Sequence, residues 1–212
     1  MEALELKQRA KVYKAACRYE DALVLMISLL DKKNFTPDLE DLKLFSTLLK
    51  LTAKCLKQSW RTVLCSPHYI AKHGDASDVG LRLQKRLIER CEKTISVCEA
   101  KASALQGEAQ VLLFKLIGDC WRHKSAHVWN EDNSEAATFG LLAYTRARDL
   151  AQQLPSTNRT RRATALNFSI FCFEVLRDFK SAALLSREAI TVHDGISRAA
   201  KSNISIWSSY RT

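Results

Sequence analysis

Hydrophobic residues recur at the three- and four-residue spacing of an α-helix along nearly the whole chain, and turn-forming residues interrupt this pattern. The interruptions divide the chain into about nine predicted helices. These helices cover approximately residues 4–16, 19–30, 36–65, 80–105, 107–129, 133–154, 165–177, 180–193 and 195–210. Because the connections between them are short, neighbouring helices should lie antiparallel, and we predict an all-α protein.

Turn chemistry predicts where individual helices begin and end. Thr36, Pro37 and Asp38 provide a capping side chain, a first-turn proline and a first-turn acid, so the third helix should begin here. Residues 66–80 contain proline, glycine and polar side chains and are predicted to form a loop. The polar segment 154–161 should separate the sixth helix from the seventh. No internal repeat divides the chain, and we predict a single domain.

The composition agrees with a globular helical protein. Of the 212 residues, 47% are hydrophobic, while only six are glycine and three are proline. Residues 1–7 carry charges where a secretory signal needs an apolar core, and no segment of the sequence is long and apolar enough to span a bilayer. We therefore expect a protein of the cytoplasm or the nucleus with no membrane partner.

The sequence lacks the common motifs of catalysis. None of its six glycines forms a phosphate-binding or nucleophile-elbow motif, and none of its five histidines belongs to a zinc-protease motif. The seven cysteines form no C-x-x-C pair, and their positions favour reduced, packed thiols over a metal or redox site. They are Cys17, Cys55, Cys65, Cys91, Cys98, Cys120 and Cys172. We predict a protein that is not an enzyme and needs no cofactor or metal.

A basic stripe on the third helix is the strongest functional signal in the pattern. Lys50, Lys54, Lys57 and Arg61 follow one another at helical spacing, which places the four cations within an arc of about 60°. Like charges at this spacing repel one another, and on an ordinary solvated face this repulsion destabilises the helix slightly. A bound polyanion would remove it. The formal net charge of +10 also favours an anionic partner, but it does not distinguish phosphorylated protein, nucleic acid and acidic surfaces.

Residues 165–171, with the sequence Ala-Leu-Asn-Phe-Ser-Ile-Phe, closely resemble a signature of the 14-3-3 family. Further matches follow the family's order: Arg18-Tyr19-Glu20-Asp21, Ser59-Trp60-Arg61, Gly118-Asp119-Cys120-Trp121-Arg122 and Asn203-Ile204-Ser205-Ile206-Trp207. The resemblance implies that about nine antiparallel helices form a cup. It places dimerisation and the basic helix in residues 1–65 and the remainder of a peptide groove in residues 107–212.

The resemblance also implies a site for a phosphorylated serine or threonine. The family's phosphate-binding positions fall on Lys50, Lys57, Arg122 and His123. Lys57 stands where the family has arginine, and His123 stands where it has tyrosine. A lysine cannot provide the planar, two-pronged contact of an arginine, and a histidine at the phosphate would make binding depend on pH.

Other positions of the family's groove and dimer interface are matched as well. The resemblance assigns peptide contacts to Arg61, Lys115, Leu166, Asn167, Ile170, Glu174, Asn203, Ile206 and Trp207. It assigns the dimer interface to Leu6, Val12, Ala16, Arg18, Asp21, Ser59 and Arg82, the last as a salt-bridge partner of Asp21. The implied partners are phosphorylated proteins and a second protomer, either identical or related.

Two departures from the family pattern keep other functions open. The chain is basic where the family is usually acidic, and between the Asn167 helix and Trp207 it is shorter by roughly fourteen residues, or about four helical turns. We therefore expect a shortened C-terminal helical hairpin.

The main prediction is a phosphopeptide-binding adaptor. The alternatives are a 14-3-3-like scaffold for unphosphorylated acidic partners and a basic helical nucleic-acid binder, against which the lack of an aromatic stacking platform counts.

Overall fold

The computed structural model describes residues 2–64, 77–125 and 134–190, and these residues form eight α-helices. Helices α1 to α4 span Glu2–Ala15, Tyr19–Leu30, Leu39–Leu64 and Ser77–Ala102. Helices α5 to α8 span Gly107–Ser125, Ser134–Ala151, Arg159–Phe171 and Phe179–Ile190. A π-helical turn at Cys172–Leu176 follows α7. The described residues contain no β-strand, and the all-α prediction is confirmed.

The third helix begins later than predicted, because Asp38 rather than Thr36 caps it. The backbone N–H of Asp41 donates to Asp38 Oδ1 at 2.8 Å, and the N–H of Asp38 donates to Asp41 Oδ2 at 3.2 Å. This reciprocal pair satisfies two of the backbone donors that a helix start leaves without intrahelical partners. Pro37 therefore precedes the helix, and the predicted start at Thr36 is wrong.

Two further boundaries differ from the prediction. Helix α4 already includes Ser77 to Gly80, where the sequence predicts a loop. Helix α7 begins at Arg159, well before the predicted start, because Asn158 caps it: its Oδ1 accepts from the N–H groups of Thr160 and Arg161 at 2.8 and 3.0 Å. The predicted ninth helix and the second arm of the shortened hairpin lie outside the described residues.

The chain divides into two compact units, Met1–Lys101 and Ala102–Thr212. In the first unit, α1 packs on α2 and α2 packs on α3. Leu23, Met26 and Phe45 are fully buried in this packing. Helix α4 is tied to α2 by Glu20, which accepts from Arg86 and, at 3.1 Å, from Arg90 Nε.

The second unit has an aromatic core shared by α6, α7 and α8. Tyr144 stacks on Phe168 with ring centroids 5.4 Å apart, and it also contacts Phe171 at 5.2 Å. Cys172 and Leu185 complete the same buried cluster. Because these residues lie on three helices, their packing sets how the helices are rotated against one another.

The packing prediction for the cysteines is confirmed for Cys91, Cys98, Cys120 and Cys172, which are buried. It is wrong for Cys17 and Cys55, which are exposed. Cys17 lies in the turn between α1 and α2 and adopts a left-handed backbone conformation, with a φ of 59°. Cys65 lies outside the described residues.

Two glycines allow the aromatic core to approach the helix backbone closely. A Cβ atom on Gly118 would lie 2.8 Å from Tyr144 Cγ, and one on Gly140 would lie 2.6 Å from Phe171 Cε2. We expect Gly118→Ala and Gly140→Ala each to lower the free energy of unfolding by about 1–2 kcal/mol, although alanine is the better helix former. Urea unfolding monitored by circular dichroism measures this change.

Gly80→Ala is the matched control for these two substitutions, because its Cβ would lie 3.3 Å from Trp60 Nε1, which leaves more room. It should destabilise the protein less than either of the others. An equal loss of stability in all three variants would contradict the packing account.

Candidate functional site

In the first unit, the basic stripe lies on the outer face of α3. Lys50, Lys54 and Arg61 are exposed, and Lys57 is half-buried. The apolar residues of the same helix are buried on the other side; they are Leu42, Phe45, Leu48, Leu49, Ala53 and Leu56. Within the three described ranges, Lys50, Lys54 and Arg61 have no hydrogen-bond or ion-pair partner. These three positive charges are therefore available to a ligand.

In the second unit, a buried carboxylate collects three donors. Asp119 Oδ2 accepts from Lys115 Nζ at 2.7 Å, while Oδ1 accepts from the Tyr144 hydroxyl at 2.5 Å and from Asn167 Nδ2 at 2.7 Å. Burial alone would raise the pKa of Asp119, but the positive charges of Lys115 and Arg122 outweigh it and lower the pKa. Asp119 is therefore ionised and its charge is compensated.

Arg122 lies one turn after Asp119 on α5 and is held as a cation. Its Nη1 donates to Glu174 Oε2 at 3.0 Å, and its side chain is 14% exposed, against 45% for Glu174. Burial acts to lower the pKa of Arg122, but Tyr144, Asp119 and Glu174 together raise it above its usual value. The buried Nε has no hydrogen-bond partner among the described residues. This guanidinium thus keeps an unsatisfied donor.

His123 follows Arg122 on α5 but is only 8% exposed. It already takes part in an interaction, so this residue is not without a partner. Contact between His123 and a phosphate, and the pH dependence that would follow, remain predictions.

Helix α7 and the π-helical turn position the other predicted peptide-binding residues. Leu166, Asn167 and Ile170 are half-buried on α7, and Glu174 is exposed in the π-helical turn, an element common at functional sites. The remaining peptide-binding predictions, Asn203, Ile206 and Trp207, lie outside the described residues.

Two of the predicted peptide contacts have internal partners that the sequence analysis missed. Lys115 is buried and neutralised by Asp119, so it adds no free positive charge, and the amide nitrogen of Asn167 is also bonded to Asp119. The spacing of Lys115 and Asp119, four residues apart on one helix, was a signal for the first pair. The bonds from Tyr144 and Asn167 to Asp119 join different helices, so no local sequence pattern predicts them.

The predicted dimer-interface residues lie mostly on the surface of the first unit. Leu6 is half-buried, and the exposed residues are Val12, Ala16, Arg18, Asp21, Ser59 and Arg82. Asp21 accepts from Arg18 Nε at 2.7 Å, and Arg82 Nη2 lies 2.7 Å from Asp78 Oδ2. Each member of the predicted interprotomer pair therefore has an exposed partner within its own protomer. The pairing of Asp21 with Arg82 across a dimer remains a prediction.

A comparison with protein-family models decides the family. The model described as 14-3-3 protein matches residues 9–205. The chain belongs to the 14-3-3 family. The resemblance noted in the sequence is thus confirmed, and the helices described above are those of a 14-3-3 fold.

Curated 14-3-3 relatives are similar to the chain over most of their length. A 14-3-3 protein homolog of Candida albicans is 31% identical over 189 residues, which is 85% of this chain and 71% of the relative. The checkpoint signal transducer rad25 of Schizosaccharomyces pombe is 28% identical over 94% of this chain and 83% of its own length. The 14-3-3 protein I of Plasmodium falciparum is 26% identical over 97% of this chain and 92% of its own length.

Membership of the family supports an adaptor role in general terms. The 14-3-3 proteins are known as non-enzymatic adaptors that bind phosphorylated client proteins and form dimers. Among the described residues, no group of three or more histidine, cysteine or acidic side chains could hold a metal ion. None of the described helices is both long enough and apolar enough to cross a membrane.

The buried charges of the second unit predict that Asp119→Asn strongly destabilises the protein. The substitution should lower the free energy of unfolding by about 3–5 kcal/mol at neutral pH, because Lys115 and Arg122 lose the charge that compensates them. Since the pKa of Asp119 is lowered in the fold, its carboxylate stabilises the protein fully above the unfolded-state pKa, and this contribution is lost as the pH falls through the folded-state pKa. The difference between wild type and variant should therefore shrink below about pH 4.

Asp149→Asn provides the matched control on α6, because Asp149 is exposed and has no side-chain partner among the described residues. It should change the stability by less than about 0.5 kcal/mol. Chemical denaturation of both variants across the acidic pH range tests the account, and similar effects of the two substitutions would refute it.

Proposed function

We propose that this protein is a dimeric adaptor that binds serine- or threonine-phosphorylated segments of client proteins. In this proposal, Lys50 and Lys57 of α3 and Arg122 and His123 of α5 contact the phosphate. The observation that carries the proposal is the guanidinium of Arg122, which is held in place as a cation and donates to the partly exposed Glu174.

The state of Arg122 suits a phosphate ligand. Its Nη1 donates to the partly exposed Glu174, so a phosphate that replaces this carboxylate can accept from Nη1 while the guanidinium stays in place. A phosphorylated side chain offers three acceptor oxygens and about −1.5 to −2 charges at neutral pH. The exposed ammonium group of Lys50 would add a second charge-assisted contact.

The peptide around the phosphate would be bound by polar and apolar groups of α7 and the π-helical turn. The side-chain oxygen of Asn167 is not used in the bond to Asp119 and can accept from a peptide N–H. Leu166 and Ile170 would contact flanking apolar side chains. Family matches add Arg61, Glu174, Asn203, Ile206 and Trp207 to this set. Lys115 would act indirectly, because its charge is committed to Asp119.

Dimerisation is proposed through the apolar surface that α1 and α4 expose in the first unit. Val12 and Leu81 are among the most exposed large hydrophobic side chains in the part of the chain that the structure describes. Burying such side chains contributes about 25 cal/mol for each square ångström removed from water. Leu6, Ala16, Arg18, Asp21, Ser59 and Arg82 would complete the interface by analogy with the family.

The two alternative functions give different outcomes in one binding experiment. Paired phosphorylated and unphosphorylated peptides of otherwise identical sequence distinguish a phosphate reader from a scaffold for acidic segments. A nucleic-acid control over a range of salt concentrations tests the third possibility, because phosphate-backbone binding weakens steeply as salt rises. Tight binding of the unphosphorylated member of each pair, or of nucleic acid alone, would replace the proposed function.

Charge reversal on α3 tests whether Lys50 contacts the phosphate directly or attracts it only through long-range electrostatics. Lys50→Glu is expected to weaken phosphopeptide binding by at least about a hundredfold, since it replaces an attraction with a repulsion at the phosphate. Arg122→Ala should be comparably damaging, because arginine supplies the planar fork that Lys57 cannot. Fluorescence anisotropy measures the affinity, and circular dichroism confirms that each variant is folded.

Lys54→Glu is the matched control, because Lys54 is exposed on the same helix about one turn away and is not assigned to the phosphate. It should weaken binding only modestly, through long-range electrostatics that salt screens. Equal losses in Lys50→Glu and Lys54→Glu would show that the stripe attracts ligands without a defined phosphate site.

The dimer proposal is tested by placing a charge on its apolar surface. Val12 is 64% exposed, so Val12→Glu should leave the protomer folded but raise the dissociation constant of the dimer at least about tenfold, because a charge cannot be buried cheaply. Leu184→Glu is the control, since Leu184 is 58% exposed on α8, outside the proposed interface. Analytical ultracentrifugation measures both, and a wild type that is monomeric at micromolar concentration would contradict the proposal.

A further inference from the structure

A cleft of about 570 Å³ lies between α1 and α3 in the first unit. Its walls carry three lysines, Lys11 and Lys14 from α1 and Lys43 from α3, together with the carboxylates of Glu40 and Asp41. None of these residues was assigned to the phosphate, the peptide or the dimer interface. The cleft is formed entirely by residues of Met1–Lys101.

The charges of the cleft do not cancel. Lys7 Nζ lies 2.6 Å from Asp41 Oδ2 and 3.8 Å from Asp38 Oδ2, and Glu40 Oε1 is paired with Lys43 Nζ at 3.1 Å. Lys11 and Lys14 have no partner anywhere in the described residues. They are three residues apart on one helix, so their like charges repel by a few tenths of a kcal/mol. Lys11 and Lys14 are therefore the cleft lysines that no carboxylate of the described residues contacts directly, and the cleft with its ion-pair partners keeps an excess of positive charge.

These two lysines face away from the surface proposed for dimerisation. At about 100° per residue, Lys7, Lys11 and Lys14 lie within an arc of about 60° on α1, whereas Val12 lies about 130° from the centre of that arc. A second protomer on the Val12 side leaves the cleft open. The lysines are thus accessible in the dimer as well as in the free protomer.

The cleft is a continuation of the basic stripe on α3. Lys43 precedes Lys50 by two helical turns, so it extends the same face, and the axial distance between them is about 10 Å at 1.5 Å per residue. The axial distance from Lys43 to Lys57 is about 21 Å by the same rule. An extended peptide advances about 3.3 Å per residue, so about three to six residues cover these distances.

We propose that the cleft between α1 and α3 binds a second phosphate of the same client segment, about three to six residues from the phosphate held at Lys50 and Lys57. The inference rests on the proposed function and specifies its substrate class, namely doubly phosphorylated segments. The ammonium groups of Lys11 and Lys14, which no carboxylate of the described residues contacts directly, match the charge of one phosphate monoester, which is about −1.5 to −2 at neutral pH. Lys43, released from Glu40, can add a third contact.

A peptide series tests the spacing. Each peptide has the same sequence and a phosphoserine at a fixed position, and the doubly phosphorylated members carry a second one at increasing distance on either side. For the wild type, the second phosphate should tighten binding about five- to tenfold at the favoured spacing in low salt, and less at shorter or longer spacings. Isothermal titration calorimetry measures each affinity.

The double variant Lys11→Gln/Lys14→Gln should remove this gain and leave the affinity for the singly phosphorylated peptide unchanged. Glutamine has nearly the helix propensity of lysine, so α1 is retained. Lys11→Arg/Lys14→Arg should restore the gain. Lys33→Gln/Lys93→Gln is the control for total charge, because both lysines are exposed and have no side-chain partner among the described residues.

The outcomes distinguish the cleft from the phosphate site itself. If the singly phosphorylated peptide binds well but the second phosphate adds nothing at any spacing, the cleft proposal is overturned and the proposed function stands. The same conclusion follows if the control variant loses the gain as fully as Lys11→Gln/Lys14→Gln does. If the first phosphate makes no difference to binding, the proposed function fails, and the cleft proposal fails with it.

Discussion

The buried negative charge of Asp119 organises the second unit. An isolated buried carboxylate would be very costly, so the fold must bring positive charge and hydrogen-bond donors to it. Lys115, one turn earlier on α5, supplies the charge, while Tyr144 from α6 and Asn167 from α7 supply hydrogen bonds. Because the bonds meet at Asp119, they fix how α5, α6 and α7 are rotated against one another. Gly118 completes the arrangement, because any larger residue there would collide with the Tyr144 ring.

The position of Arg122 depends on the same network. It lies three residues after Asp119 and is stabilised as a cation by that carboxylate, yet its Nε is not consumed by it. The internal charges therefore hold the arginine in place as a cation, while its Nη1 donates to the partly exposed Glu174. On the proposed function, Arg122 would supply the planar contact to the phosphate, because Lys57, at the family's arginine position, lacks a planar fork. In the same proposal, the lysines on α3 would contribute charge with looser geometry.

Sequence reasoning succeeded where the signal was periodic. The spacing of the four basic residues Lys50, Lys54, Lys57 and Arg61 predicts one face of α3, and the structure exposes three of them and half-buries Lys57. It failed at the start of α3, because Thr36 and Asp38 are both favourable capping residues. The reciprocal bond with Asp41 makes Asp38 the cap. The Tyr144 bond to Asp119 joins residues far apart in sequence, and it follows from helix packing that no local pattern encodes.

The ion pair between Arg122 and Glu174 bears on selectivity between phosphate and carboxylate ligands. On the proposed function, a client's aspartate or glutamate that reached Arg122 would replace one carboxylate with another of equal charge, so the exchange gains little. A phosphate monoester brings about −1.5 to −2 charges and a third acceptor oxygen, so it is attracted to the guanidinium more strongly than a carboxylate is. Glu174 is 45% exposed and returns to water at small cost, while Arg122 stays in place. Glu174 would therefore act as an internal competitor that disfavours unphosphorylated acidic segments, and this weighs against the scaffold alternative.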